Sequence, residues 1–231
     1  MIKKLFGSMF KLLATLLFIA GLVIVGIAIK EIYETKIYED QATKDAEELL
    51  KLSEENPILK KDFKPNFGDS AGMLVIDKID ANLPIVEGTS EDDLKKGVGH
   101  YEGTAYPLED DQIVLSGHRD TVFRRMGELQ IGDIMKVRMP YGDFDYEIVN
   151  TKVVPADDLS IIVPHDEETL TVTTCYPFRY IGNAPDRYII DAKPVYNKKD
   201  YADILRDAKE ELDKEKEEAE QEEVDEEAVV D

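Results

Sequence analysis

Leu170-Thr171-Val172-Thr173-Thr174-Cys175-Tyr176-Pro177-Phe178 holds the single cysteine of the chain. The residues before Cys175 are mostly β-branched, and such side chains favour a strand because they suit its pleated surface. Pro177 has no N–H to donate and ends regular pairing. Cys175 is therefore expected at the end of a strand, where its side chain meets residues from other strands. A lone cysteine is ordinarily a small buried hydrophobe. Two further stretches favour chemistry instead. Ile113-Val114-Leu115-Ser116-Gly117-His118-Arg119-Asp120 reads as an apolar strand ending in Gly-His, and Ala184-Pro185-Asp186-Arg187-Tyr188-Ile189-Ile190 reads as a turn, an arginine and another strand. A thiol, an imidazole and a guanidinium, each at a strand edge, form a set of nucleophile, base and anion stabiliser.

This combination resembles the sortases, the cysteine transpeptidases of Gram-positive cell surfaces. Their signature is Thr-Leu-x-Thr-Cys, with a histidine upstream and an arginine on the next strand. Here it reads Thr171-Val172-Thr173-Thr174-Cys175, and Val172 keeps the apolar character of the leucine. Cys-Tyr-Pro-Phe, and Gly-His-Arg-Asp-Thr followed by Phe123, resemble the class D branch most. The resemblance covers residues 71–194.

The 231 residues suffice for one ordinary domain with appendages. One cysteine excludes an intrachain disulfide. A net charge of −22 speaks against nucleic acid as a partner. No Cys/His cluster has metal-ligand spacing and no glycine-rich phosphate loop occurs, so neither metal nor cofactor is expected.

Residues 1–30 read as a cytoplasmic stub and a transmembrane anchor. Leu12 to Ile29 runs without a charge, polar only at Thr15. At 1.5 Å per residue it spans about 27 Å, and Met9 and Phe10 extend it to roughly the hydrocarbon thickness. Lys3, Lys4 and Lys11 precede it, while Glu31, Glu34, Glu39 and Asp40 mix with Lys30 and Lys36 after it. The positive-inside rule then keeps the N-terminus in the cytoplasm and places the rest outside, at the cell membrane with a single pass. A cleaved signal peptide is the rival, but its apolar region would be shorter and no Ala-x-Ala site follows.

Residues 31–70 read as a stalk or linker, helical around Lys44–Leu52 and broken at Asn56-Pro57 and at Lys64–Gly68. Residues 71–196 form the catalytic domain, with a mainly β pattern. Met73–Ile76 and Leu83–Val86 flank a turn. Ser90–Gly97 reads as a short helix with Ser90 as N-cap. Val122–Leu129 reads as a second short helix, and Asp133–Met139 with Phe144–Val154 as a hairpin. Pro155–Glu168 reads as a long loop. Many short strands suggest a barrel or a sandwich. The resemblance implies a sortase-type β-barrel of about eight strands with one or two short helices outside. Residues 197–231 form an acidic tail, helical or disordered; from Arg206 on, 14 acidic residues face 4 basic ones.

The resemblance implies that Cys175 attacks a peptide carbonyl to form a thioester, that His118 moves the proton of the leaving and incoming amines, and that Arg187 supplies fixed donors. Thr174 and Tyr176 are expected to contact substrate, Thr174 through its hydroxyl. Tyr176, Phe178, Tyr180 and Tyr188 are candidates for groove walls or for packing. Asp120 is not expected to complete a triad. His100, in the glycine-rich loop Gly97–Gly103, is read as structural, and His165 as exposed loop filler, in a loop that the resemblance places beside the substrate groove. A thiol and an imidazole at ordinary values of about 8.5 and 6.5 leave on the order of 1% of such pairs as thiolate and imidazolium at pH 7, which predicts modest turnover.

The implied reaction is cleavage of a Leu-Pro-x-Thr-Gly/Ala-like signal after threonine and transfer to a peptidoglycan amine. The implied partners are surface proteins bearing that signal, the peptidoglycan precursor and the membrane, with no obligate protein partner. Rival readings are a hydrolytic cysteine protease, a pilin-polymerising sortase and a non-catalytic surface binding module. Calcium activation, known in some sortases, finds no acidic cluster at matching positions.

Overall fold

The computed structural model describes residues 2–180, 182–197 and 214. The acidic tail expected over 197–231 thus lies outside the described residues, apart from Asn197 and Lys214.

Eight strands close into a barrel: β1 (Ser70–Ile76), β2 (Ala81–Glu87), β3 (Val98–His100), β4 (Gln112–Gly117), β5 (Ile134–Met139), β6 (Gly142–Pro155), β7 (Thr169–Tyr176) and β8 (Asp186–Pro194). Their order around the barrel is β1-β2-β3-β4-β7-β8-β6-β5. Only β2 with β3 and β4 with β7 pair in parallel. Parallel neighbours need a crossover, because a tight turn reverses the chain. The first crossover carries a four-residue helix, α2 (Glu91–Leu94), capped by Ser90 and Asp93 through a reciprocal pair of hydrogen bonds. The second contains the β5–β6 hairpin, which turns at Pro140-Tyr141 as Met139 pairs with Gly142.

Alternation fills the barrel. Met135, Val137 and Met139 on β5, Phe144, Tyr146 and Ile148 on β6, and Leu170 and Val172 on β7 all point into one core. Each such side chain stabilises the fold by roughly 1.5–3 kcal/mol relative to exposure. β6 continues past a bulge at Ile148/Asn150 and pairs with the first half of β8, so β8 is held on both sides. The segment Val122–Leu129 is a series of turns with one 3-10 turn at Met126–Glu128 rather than a helix. Gly127 lies under the ring of Phe178, where a Cβ would come within 2.8 Å.

The apolar run and the expected stalk helix form one element, α1 (Ile2–Glu55). No proline or glycine interrupts residues 27–56, and the helix stops just before Asn56-Pro57, where the ring of Pro57 disfavours helical backbone at the preceding residue. The run from Leu12 to Ile29 is exposed and apolar, and the helix is long and apolar enough to cross a membrane. Its last turns are not free in solvent: Ala42, Ala46 and Leu50 share one stripe and are buried, Ala46 and Leu50 against Met73 of β1. Ser70 Oγ donates to the Ala42 carbonyl at 3.1 Å.

Candidate active site

Cys175 is the penultimate residue of β7 and is half-buried. It shares the outer face of the barrel with Thr171 and Thr173, since Leu170 and Val172 take the inner one. Arg187, the second residue of β8, is its direct partner across the antiparallel pair. Opposed residues in such a pair carry Cβ atoms about 4.5–5.5 Å apart, on the same face. On the other side of β7, Thr174 pairs with Gly117, the last residue of β4. His118 follows directly. The ends of β4 and β7 and the start of β8 therefore bring His118, Cys175 and Arg187 to one rim.

Local chemistry fixes these ends. The Thr174 hydroxyl is buried and donates to the Gly117 carbonyl at 2.7 Å. Its proton thus goes to the backbone preceding His118. A Cβ on Gly117 would lie 2.5 Å from the ring of Phe123, which is fully buried. The His118 carbonyl accepts from the amides of Thr121 (3.4 Å) and Phe123 (3.1 Å), which closes the turn after the imidazole. Arg187 Nη1 donates to the carbonyls of Asp186 (3.0 Å) and Ala184 (3.4 Å).

Tyr176, Phe178 and Tyr188 form an aromatic cluster beside Cys175. Phe178 meets Tyr176 and Tyr188 edge-on at 5.5 and 5.2 Å, and Tyr176 and Tyr188 stack at 6.2 Å. The loop over 156–168 is pinned to the start of β4. Gln112 donates to the carbonyl of Ile161 (2.8 Å) and accepts from the amide of Val163 (3.1 Å), and the His165 amide donates to Asp111 (2.7 Å). The His165 and Gln112 amides hold the Asp111 carboxyl below the ordinary carboxylate range. His165 therefore sits at the opposite end of β4 from His118, about 20 Å along a strand of that length.

His100 is buried on β3, where a loop was expected. Its Nδ1 faces Glu87 at 2.7 Å and its Nε2 donates to the Ala105 carbonyl at 3.0 Å, while its ring stacks on Tyr106 at 4.0 Å. The Tyr106 hydroxyl also donates to Glu87. Burial pushes the Glu87 carboxyl upward, but the hydrogen bonds from His100 and Tyr106 outweigh it and hold the group below its ordinary value. With both ring nitrogens engaged, His100 has a structural place.

Sequence reasoning missed Arg119, which is 6% exposed. It donates to the carbonyls of Pro177 (3.1 Å), Tyr180 (2.7 Å) and Gly182 (2.9 Å). Asp120 pairs with its Nε at 3.5 Å and is itself largely exposed. Also unforeseen is a cleft of about 640 Å³ between α1 and the rim, lined in part by Glu34 and Tyr38 of α1, Glu91 and Lys95 at α2, and His118 and Thr121. Among the described residues, no cluster of three or more histidine, cysteine or acidic side chains has the arrangement of a metal site.

The closed eight-stranded barrel carries a thiol, an imidazole and a guanidinium at one rim, residue types that cysteine acyl-transfer enzymes use. Residues 74–195 match the sortase domain family. The chain is 50% identical over 195 residues to Sortase D of Bacillus subtilis (strain 168), covering 80% of this chain and 98% of that one. Among solved structures it resembles a Clostridium perfringens Sortase D5 transpeptidase, at 32% identity and a TM-score of 0.61, covering 69% of this chain and 99% of that one. It also resembles the catalytic domain of B. anthracis SrtD, at 41% identity and a TM-score of 0.50, over 58% and 92% of the two chains. The chain belongs to the sortase family of cysteine transpeptidases and is a class D homologue.

Proposed function

We propose that the enzyme cleaves a Leu-Pro-x-Thr-Gly/Ala-like sorting signal after threonine and joins the released acyl group to an amine of a peptidoglycan precursor. The observation that carries this reading is the register: Cys175 opposite Arg187, and Thr174 bonded to the residue before His118. The Cys175 thiolate adds to the threonine carbonyl, and Arg187 stabilises the resulting oxyanion. Collapse breaks the C–N bond as His118 gives its proton to the departing amine, leaving a thioester. The incoming amine attacks the thioester and loses a proton to His118, and the Cys175 thiolate departs. Tyr176 and its aromatic neighbours wall the site, and Thr174 acts by holding the β4 end.

Residues 1–30 serve as cytoplasmic stub and anchor, 31–70 as the stalk and 71–196 as the catalytic domain, which lies outside the cell membrane; 197–231 is an acidic appendage. The cleft beneath α1 supports catalysis close to the lipid surface, since Glu34 and Tyr38 follow the apolar run by only 5 and 9 residues, about 8 and 14 Å of helix.

The test uses the full chain in detergent, a fluorogenic Leu-Pro-x-Thr-Ala or -Gly peptide, and an added amine, with products weighed by mass spectrometry. Amide formation after threonine, abolished by Cys175→Ala, is the expected result. Free acid alone at high amine would assign a hydrolase instead.

A further inference from the structure

The connection between β7 and β8 follows Cys175 and leads into Arg187, yet the catalytic set proposed above contains nothing that ties it to His118. Arg119 does so. Its guanidinium is buried, and burial of a charge is costly unless partners compensate. The partners are three carbonyls of one connection, those of Pro177, Tyr180 and Gly182. The planar head also lies 5.8 Å from the centre of the Tyr180 ring. Asp120 neutralises it at 3.5 Å, beyond good hydrogen-bond length, so the grip on the connection comes from the two Nη groups. A surface ion pair would leave such a side chain exposed, and here it is not.

The geometry points to Arg119 as a positioning residue: its guanidinium clamps the β7–β8 connection to the end of β4 and so sets His118 against Cys175 and Arg187. This inference rests on the assignment of those three residues under the proposed function. The fork matters as well as the charge. A guanidinium presents several donors in a fixed plane and holds three carbonyls at once, whereas an ammonium is a point charge on a flexible stem. Arg119→Lys therefore keeps the charge beside Asp120 and loses the clamp. Chain connectivity alone does not replace it, because the connection meets β4 through these contacts across a sequence separation of 58 to 63 residues.

The test introduces Arg119→Lys and Arg119→Gln into the full chain in detergent and works well below each variant's melting temperature, with rates normalised to titratable thiol. Two readouts are taken: steady-state cleavage of the fluorogenic Leu-Pro-x-Thr-Ala peptide, and the rate of Cys175 alkylation by iodoacetamide at pH 7.5, which requires no sorting signal. The clamp predicts that both variants lose about tenfold to a hundredfold in kcat, with KM within about threefold of wild type. It also predicts severalfold faster alkylation in Arg119→Lys, as the connection loosens around the thiol. If wild type does not cleave the peptide, the substrate reading fails while the alkylation arm still decides the role of Arg119. If Arg119→Lys matches wild type within twofold in kcat and in alkylation, the clamp is wrong. It is equally wrong if the variants differ from wild type only in melting temperature.

Discussion

Replacing Thr174 by valine removes one hydroxyl and keeps the shape of the side chain. The hydroxyl is 3% exposed with its residue and donates to the Gly117 carbonyl at 2.7 Å. Leaving a buried acceptor short of a donor costs about 1–3 kcal/mol. The added methyl recovers up to about 0.8 kcal/mol. A net loss of about 1–2 kcal/mol lowers the melting temperature of a chain this size by roughly 3–6 °C. The effect on activity is expected to be larger than the effect on stability. The bond joins the residue before Cys175 to the residue before His118, and a displacement of about 1 Å between reacting groups costs on the order of a hundredfold. Differential scanning fluorimetry and kcat/KM on a sorting-signal peptide read the two effects separately. Thr174→Ser restores the donor and recovers most of both. An unchanged melting temperature together with unchanged kcat/KM in Thr174→Val would show that the bond serves neither purpose. A normal melting temperature with a large loss of activity would instead place the hydroxyl on the reacting groups.

Three other outcomes are expected. Gly117→Ala forces a Cβ to within 2.5 Å of the Phe123 ring, which destabilises by about 1–3 kcal/mol, and a double-mutant cycle with Phe123→Leu should show coupling above about 0.5 kcal/mol. Burial raises the phenols of Tyr106, Tyr141, Tyr146 and Tyr196 above their ordinary value, aided by Glu87 at Tyr106 and Glu168 at Tyr146 and Tyr196. The folded state holds these protons more tightly, so stability is intact below about pH 10 and falls above it, by up to about 1.4 kcal/mol per pH unit for each phenol; melting temperatures between pH 8 and 11 should drop steeply past pH 10, less so in Tyr106→Phe, and a flat curve would contradict the assignment. Ala46→Glu places a charge at a fully buried helix position against Met73, so limited trypsin digestion should cut faster at Lys44 and Lys51 while the barrel's melting temperature stays within a few degrees.

The strand ends bearing Cys175, His118 and Arg187 were legible because β-branched runs, Gly117 and Pro177 mark them locally. Their register was not, since pairing of Cys175 with Arg187 follows from the whole barrel closing. The order of strands and its two parallel pairs were equally out of reach of periodicity. Arg119 was missed because its partners are backbone carbonyls some 60 residues away, which leave no mark in the sequence. The bond from the Thr174 hydroxyl to Gly117 was out of reach for the same reason: the carbonyl that takes its proton belongs to another strand. His100 was expected in a loop because glycines surround it, yet Gly99 serves the close approach of the Gly88 carbonyl, 2.4 Å from where a Cβ would stand. The boundary drawn at residue 30 falls inside α1, which runs from Ile2 to Glu55. Its backbone carries no break there, and only Pro57 supplies one.

Covalent catalysis by Cys175 can be read from the intact mass of the full-length enzyme, quenched in acid during turnover of a Leu-Pro-x-Thr peptide without added amine. A thioester mechanism predicts a species heavier by the acyl part of the peptide, labile to hydroxylamine, located on Cys175 and absent in Cys175→Ala. Turnover with no acylated enzyme, or an adduct that survives Cys175→Ala, would contradict it.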